Sequence, residues 1–252
     1  MDFLTRILTT KAEEIANMPE EPLLDTKNRP SLYQTIQQSP EHMHLIGEVK
    51  RASPSKGVIN QTVDCVAQAI AYQQAGVSGI SVLTDEQYFN GSIEDLRKVS
   101  QVVDIPLLCK DFIISKKQLL RAKNAGASIV LLIVAALSDH QLANLHSDAY
   151  ALGLEVLVEV HDQQELQRAL AIGAKIIGVN NRDLRTFNVS IDVSVAMAPK
   201  QADTIFISES GFRTDRDVAQ VARDYQGILV GETLMRSRDI AATVKELQVP
   251  RP

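Results

Sequence analysis

The 252-residue sequence contains no tryptophan, and aromatic residues make up only 4% of it. Proteins that hold single-stranded nucleic acid usually stack its bases on aromatic side chains, so this scarcity argues against such a platform. Basic residues are outnumbered as well, 26 against 31 acidic ones, which gives a formal net charge of −5. A chain without a basic excess is a poor general binder of polyanions. We therefore expect no nucleic-acid partner, and any anionic ligand requires a local binding site.

Cysteine and long apolar segments are also scarce. Cys65 and Cys109 are the two cysteines. They are too few for a disulfide framework and are typical of a protein of the reducing cytoplasm. The longest apolar run, Ile129 to Leu137, is about half the length that a transmembrane helix needs. The start of the chain does not have the pattern of a signal peptide. The sequence thus predicts a cytoplasmic protein that does not cross a membrane.

From about residue 45 onward, short apolar segments with strand character alternate with amphipathic helical segments. The predicted strands are Leu45–Lys50, Gly79–Thr84, Pro106–Lys110, Ile129–Ile133, Glu155–Val160, Ile176–Asn180, Thr204–Glu209 and Ile228–Gly231. The predicted helices are Val63–Ala75, Ser92–Val103, Lys116–Asn124, Asp139–Ala151, Gln163–Ala171, Asp192–Met197, Asp215–Arg223 and Ser237–Leu247. Eight evenly spaced units of this kind favour an α/β fold, a (β/α)8 TIM barrel of parallel strands. An open doubly wound sheet is the alternative, but no G-x-G-x-x-G motif follows the first strand.

The first 44 residues have a different pattern. A first helix is indicated by apolar residues at helical spacing before Pro19, namely Phe3, Leu4, Ile7, Leu8 and Ile15. A short second helix is predicted over Ser31–Gln38. We expect a single TIM-barrel domain over residues 1–252, with an N-terminal helical extension over 1–44 and the barrel over 45–252.

Five of the predicted strands end in charged or polar residues. These are Glu48 with Lys50, Lys110, Glu159, Asn180 with Arg182, and Glu209 with Ser210. Active sites of (β/α)8 barrels lie at the C-terminal ends of the strands, and alternate residues of a strand face the same way. Burying charges without partners costs several kcal/mol each, so we expect these groups to meet in one site suited to proton transfer. Solvated charges at loop entries are the alternative.

Two further features indicate an anionic ligand. Residues 51–57, R-A-S-P-S-K-G, are small, polar and basic, which favours a loop that closes on an anionic substrate. A generic surface loop is the alternative. Gly211 and Gly231 follow the last two strands, where barrels often bind phosphate through backbone N–H groups.

Metal binding is poorly supported. Glu159 and His161 share one face at the end of a strand. No further cluster supplies the remaining ligands at a recognisable spacing. We therefore expect no metal site.

Seven motifs, in order along the chain, resemble those of the indole-3-glycerol phosphate synthase family. They are E-V-K-R-A-S-P-S-K-G (48–57), S-V-L-T-D-E (81–86), L-C-K-D-F-I (108–113), V-E-V-H (158–161), I-G-V-N-N-R-D-L (177–184), I-S-E-S-G (207–211) and V-G-E-T-L-M (230–235). The resemblance covers essentially the whole chain. It implies a carboxy-lyase of tryptophan biosynthesis that acts on 1-(2-carboxyphenylamino)-1-deoxyribulose 5-phosphate. Such an enzyme closes the indole ring, releases carbon dioxide and water, and uses no metal or organic cofactor.

The resemblance also implies roles for the matching residues. Lys110 matches the general acid that protonates the substrate carbonyl, Lys50 the lysine that engages the anthranilate carboxylate, and Glu159 a second acid/base group. Whether Lys50 or Glu159 serves the dehydration step stays open. The supporting positions are Glu48, Asn180 and Glu209 around these groups; Arg182, Ser210, Phe89, Phe112, Leu131, Leu184, Pro54 and Ser55 for the substrate; and Ser53, Gly211, Gly231 and Glu232 for the phosphate. Ala52 stands where some relatives carry a basic residue.

Other functions remain compatible with the sequence. A related phosphate-binding barrel, such as a phosphoribosylanthranilate isomerase, typically uses cysteine and aspartate and lacks the N-terminal extension. A Schiff-base aldolase would use Lys110, and a non-catalytic barrel would bind a phosphorylated metabolite without converting it. We expect a monomer with a small phosphorylated substrate, and association with other tryptophan-pathway enzymes stays open.

Overall fold

The computed structural model describes residues 2–53, 57–58 and 64–252, with the backbone alone for Ser53, Gly57 and Val58. The main strands are β1 (His44–Val49), β2 (Gly79–Leu83), β3 (Leu107–Lys110), β4 (Ile129–Ile133), β5 (Glu155–Val160), β6 (Ile176–Asn180), β7 (Ile205–Glu209) and β8 (Gly227–Val230). The helices are α1 (Phe3–Ala16), α2 (Leu32–Gln38), α3 (Cys65–Ala75), α4 (Glu86–Phe89), α5 (Ile93–Val102), α6 (Lys116–Asn124), α7 (Asp139–Ala151), α8 (Gln163–Ala171), α9 (Asp192–Met197), α10 (Asp215–Ala219), α11 (Glu232–Arg236) and α12 (Ile240–Leu247).

Strands β1 to β8 form a closed parallel barrel in sequence order. Closure is visible at Ile46 of β1, which lies opposite Gly79 of β2 on one side and Leu229 of β8 on the other. The predicted (β/α)8 barrel is therefore confirmed. No helix in the described part of the chain is both long and apolar enough to span a membrane.

The strands separate two apolar cores, because alternate side chains point into the barrel and outward to the helices. The outer core lies between the strands and the surrounding helices. The inner core includes Leu108 and Ile207 from the strands, together with Leu32 and Ile36 from α2. Helix α2 therefore packs its apolar face against the interior of the barrel.

Glu155, the first residue of β5, fixes α2 at the N-terminal end of the strands. Its carboxylate accepts hydrogen bonds from Ser31 Oγ at 2.6 Å and from the backbone N–H of Leu32 at 2.7 Å. These bonds satisfy donors that the first turn of a helix leaves unpaired. The helix closes this end of the barrel.

Helix α1 lies at the opposite end. Its Lys11 side chain is only 2% exposed and forms ion pairs with Asp85 at 2.8 Å and Asp111 at 3.0 Å, just beyond β2 and β3. A buried lysine is tolerated only with such partners. The two N-terminal helices therefore hold opposite ends of the barrel, an arrangement that the sequence pattern did not predict.

Several short elements differ from the sequence prediction. Helices α4 and α11 and a hairpin that pairs Ala52–Ser53 with Gly57–Val58 were not predicted. Four or five residues are too few to show helical periodicity. Helix α10 ends at Ala219 rather than Arg223, and Val63, the predicted start of α3, lies outside the described residues.

Candidate active site

A cavity of about 1090 Å3 opens at the C-terminal ends of the barrel strands. Its lining includes most of the residues that the sequence singles out, namely Glu48, Lys50, Phe89, Lys110, Phe112, Leu131, Glu159, Asn180, Arg182, Leu184, Glu209, Ser210, Gly211, Gly231 and Glu232. The predicted site residues Pro54 and Ser55, and the side chain of Ser53, lie outside the described residues. The structure thus brings the polar strand ends into one space.

Lys110, the last residue of β3, lies between two carboxylates. Its Nζ is 3.2 Å from Glu159 Oε2 and 3.0 Å from Glu209 Oε2. Burial alone would lower the pKa of Lys110, but the carboxylates of Glu209, Glu159 and Glu48 raise the pKa above its usual value. The resting side chain is therefore an ammonium group.

The two carboxylates differ in their tendency to hold a proton. For Glu209, burial raises the pKa to about 7, and the attraction of Lys110 offsets only part of this effect. For Glu159, burial is outweighed by the charges of Lys110 and His161, so its pKa lies below the usual range. Carboxylates whose pKa values are driven apart in this way are typical of acid–base sites.

Glycines make room for these carboxylates. Gly178 lies on β6 beside Glu209, and a Cβ at position 178 would collide with Glu209 Oε1. A Cβ at Gly231 would lie 2.5 Å from Glu48 Oε1 and 3.1 Å from Lys50 Nζ. Glu48 and Lys50 form an ion pair across one face of β1, as strand alternation predicts.

A hydrogen-bonded turn follows β6 and β7. Asn180 Oδ1 accepts hydrogen bonds from the backbone N–H of Arg182 and from Ser210 Oγ, each at 3.0 Å. Ser210 and Gly211 both have positive φ, 69° and 103°. Because left-handed backbone is costly for serine, the surrounding bonds must hold it there.

One wall of the cavity is apolar. The rings of Phe89 and Phe112 are 6.2 Å apart between centroids, and Leu131 and Leu184 also line the space. Phe89 ends helix α4, an element that the sequence did not predict. An apolar wall with aromatic side chains is suited to contact with a planar aromatic ring.

Helix α1 also contributes to this wall, which the sequence pattern did not predict. Phe3 and Leu4 line the cavity, and the Phe3 ring lies 4.9 Å from that of Phe187, centroid to centroid. Both α1 residues were identified only as part of an amphipathic helix. No local signal shows which part of a barrel such a helix covers.

Basic residues at the β7 and β8 side of the cavity were also missed. Arg213 and Arg236 line it beside Gly211 and Gly231. Arg236 Nε lies 3.2 Å from Glu232 Oε1, so the acidic side chain at position 232 has a cationic partner. These two arginines add positive charge to this side of the cavity.

Among the described residues, no group of three or more histidine, cysteine, aspartate or glutamate side chains is arranged to hold a metal ion. His161 instead contacts two carboxylates, those of Glu159 and Glu165.

Comparison with known proteins agrees with this geometry. The family model of indole-3-glycerol phosphate synthase matches residues 4–247. The chain is 56% identical over 252 residues to the indole-3-glycerol phosphate synthase of Listeria monocytogenes serotype 4a, covering 100% of both chains. It is 47% identical over 251 residues to the Streptococcus gordonii protein of the same name, covering 99% of this chain and 98% of that one.

Among solved structures, the tryptophan synthase alpha chain of Legionella pneumophila superposes with a TM-score of 0.62 at 12% identity, over 86% of this chain and 95% of that one. At this identity the likeness concerns the fold alone. The family match and the full-length relatives concern the sequence itself, and by them the chain belongs to the indole-3-glycerol phosphate synthase family.

Proposed function

We propose that this protein converts 1-(2-carboxyphenylamino)-1-deoxyribulose 5-phosphate into indole-3-glycerol phosphate, carbon dioxide and water. The observation that carries the proposal is the Lys110 ammonium, held between Glu159 and Glu209 in a cavity with an apolar wall. A proton donor beside an aromatic binding surface is what ring closure on a ketone requires.

In the first step, the ring carbon that bears the carboxylate attacks the ketone carbon of the ribulose chain. A carbon–carbon bond forms, and the electron pair of the carbonyl moves to oxygen. Lys110 donates its proton to that oxygen, so no alkoxide accumulates. Lys50 engages the substrate carboxylate and holds the ring in position for attack.

In the second step, the carboxylate leaves as carbon dioxide. The electrons of the broken bond return to the ring and restore its aromaticity. Phe89, Phe112, Leu131 and Leu184 provide an apolar surface for the ring, and removing water from a carboxylate favours its departure.

In the third step, the hydroxyl group on the former carbonyl carbon leaves as water after it receives a proton. The neighbouring CH2 carbon, which is bonded to nitrogen, loses a proton to a base, and the indole double bond forms. Lys50 and Glu159 are the candidates for these proton transfers. Glu48, Asn180 and Glu209 orient these groups, and the Asn180 amide is held by Arg182 and Ser210.

The phosphate group occupies the β7 and β8 side of the cavity. Backbone N–H groups near Gly211, Gly231 and Glu232 would bind it, together with Ser53. Pro54 and Ser55 would contact the substrate from the segment that follows β1. Arg182 and Ser210 complete the substrate contacts.

We further propose that the protein acts as a monomer in the cytoplasm on a small phosphorylated substrate. The two cysteines support a reducing compartment, since both are free and buried.

The test is to supply the carboxyphenylamino deoxyribulose phosphate and to follow indole fluorescence, with and without EDTA. We expect product at the same rate in both conditions. An absence of product, or a rate abolished by the chelator, would contradict the proposal. Borohydride treatment with substrate separates this reaction from a Schiff-base aldolase, because only the aldolase leaves a stable adduct on Lys110.

A further inference from the structure

His161 lies directly behind the predicted catalytic carboxylate Glu159. It follows the last residue of β5, and its side chain is 14% exposed. The ring does not line the described cavity. His161 can therefore influence the reaction only through the groups that it contacts.

Glu159 divides its two oxygens between two cationic partners. Oε2 lies 3.2 Å from Lys110 Nζ on the cavity side. Oε1 lies 3.2 Å from His161 Nε2 on the opposite side. The second contact is within ion-pair distance, although Nε2 does not meet hydrogen-bond geometry. Each oxygen of the Glu159 carboxylate thus has its own partner, Lys110 for one and His161 for the other.

The orientation of His161 is fixed by Glu165 in the first turn of α8. Glu165 Oε2 accepts a hydrogen bond from the backbone N–H of His161 at 2.8 Å and lies 3.0 Å from its Nδ1. One carboxylate oxygen of Glu165 therefore contacts both the backbone N–H and the ring of His161. Such a contact holds an imidazole in a single orientation.

The charged groups that face the imidazole are Glu159 from β5 and Glu165 from α8. Burial lowers the pKa of His161, but the two carboxylates outweigh it and raise the pKa to about 10. Lys110 lies beyond Glu159 and contacts the other oxygen of that carboxylate. The line Glu165, His161, Glu159, Lys110 therefore alternates in charge from the surface to the cavity.

We infer that His161 is a positioning residue that keeps Glu159 ionised and aimed at the cavity after Lys110 has given its proton to the substrate. The inference rests on the proposed function. When Lys110 becomes neutral, Glu159 loses the positive charge that faces its Oε2 atom. Without a second cation, Glu159 would then tend to take up a proton. With His161 behind it, Glu159 remains available to accept the proton that the later step releases.

The kinetic test compares His161→Gln, His161→Lys and the control His140→Gln, which replaces an exposed histidine of α7. For His161→Gln we expect kcat to fall by about tenfold with little change in KM, since charge and orientation are lost but the substrate contacts remain. We also expect the acidic limb of the pH profile of kcat to move to higher pH, because Glu159 becomes easier to protonate. His161→Lys should restore part of the rate, and His140→Gln should change neither quantity.

A second measurement does not depend on turnover. Titration of the His161 ring by NMR in the resting protein should give a pKa well above that of a free imidazole, and Glu165→Gln should lower it. A ring that titrates near the ordinary value, or a His161→Gln variant whose acidic limb stays in place, would overturn the inference. A wild-type protein that forms no product while His161 still titrates high would instead contradict the proposed function alone.

Discussion

The same strands form both ends of the barrel interior, but apolar side chains line one end and charged side chains line the other. On β5, Leu157 is fully buried in the inner apolar core, and Glu159, two residues further on the same face, is 2% exposed. The pattern repeats on β7, where Ile207 is 0% exposed and Glu209 is 1% exposed. The side chains are therefore almost equally buried at both ends. Burial of the apolar side chains is favourable in free energy, whereas burial of the charged ones is costly.

The contrast shows how one fold separates stability from chemistry. Burying apolar area stabilises the folded state by about 25 cal/mol per Å2. Buried charges usually destabilise it unless each has partners, and here Lys110 supplies the partner for two carboxylates. The apolar end should therefore govern unfolding, and the charged end should govern turnover. Four substitutions test this division.

The largest effect is expected for Lys110→Met. We expect kcat to fall by about a thousandfold with little change in KM, because the carbonyl oxygen loses its proton donor while the binding surfaces remain. Steady-state indole fluorescence measures both constants. A variant with near-normal kcat would remove Lys110 from the mechanism.

The same variant should change how stability depends on pH. Lys110 lowers the pKa of both Glu159 and Glu209, so without it both folded-state values rise. Glu209, whose folded-state pKa is already about 7, binds its proton more tightly in the folded than in the unfolded state, and this contribution to stability is lost as pH rises. Urea unfolding at mildly acidic and mildly alkaline pH should show the variant losing stability relative to wild type at the higher pH.

Gly178→Ala should have the next largest effect. The added methyl group would collide with Glu209 Oε1, displacing a carboxylate that contacts Lys110, and we expect kcat to fall by about a hundredfold. The matched control is Gly173→Ala, at a glycine with φ of 73° and no atom within 4 Å of the added Cβ. That control should lose about 1 kcal/mol of unfolding free energy from backbone strain and keep its kcat. Equal losses of kcat in the two variants would contradict the steric argument.

A smaller effect is expected for Phe89→Ala. Removing this ring from the apolar wall should raise KM by about tenfold, because contact area with the aromatic substrate is lost. Leu23→Ala, at a side chain that is 59% exposed, is the control and should leave KM unchanged. An unchanged KM for Phe89→Ala would place the substrate ring elsewhere in the cavity.

The smallest effect on turnover is expected at the apolar end. Leu157→Ala should lower the unfolding free energy by about 2–5 kcal/mol through loss of buried area and cavity formation. Its kcat, measured where the variant is folded, should stay within about twofold of wild type. A large loss of kcat with little loss of stability would reverse the roles assigned to the two ends.

The barrel strands could be predicted closely because their signals are local. Apolar runs bounded by glycine-containing turns are visible in any window of a few residues, and the predicted and observed ends of β4, β5 and β6 coincide. The charged ends could also be predicted. Each charge is visible at the end of its own strand, and a parallel barrel brings the C-terminal ends of its strands together. Glu48, Lys110, Glu159 and Glu209 therefore line one cavity as expected.

The rest depended on side-chain contacts that no sequence pattern shows. The amphipathic pattern of α1 indicates a helix but not its binding surface, which is set by ion pairs of Lys11 with Asp85 and Asp111. The sequence indicated His161 only as a possible metal ligand. Glu165 is four residues further along, but no pattern shows that the turn between β5 and α8 brings the two side chains together. Such pairings require the three-dimensional structure.

The catalytic role of the charged end can be tested by single-turnover formation of indole fluorescence, with enzyme in excess over substrate, in wild type, Lys110→Met and Leu157→Ala. Product release does not enter such a measurement, so it reports chemistry alone. We predict that Leu157→Ala forms product at close to the wild-type rate and that Lys110→Met is about a thousandfold slower. A Lys110→Met variant that forms product as fast as Leu157→Ala would contradict the assignment of catalysis to the charged end of the barrel.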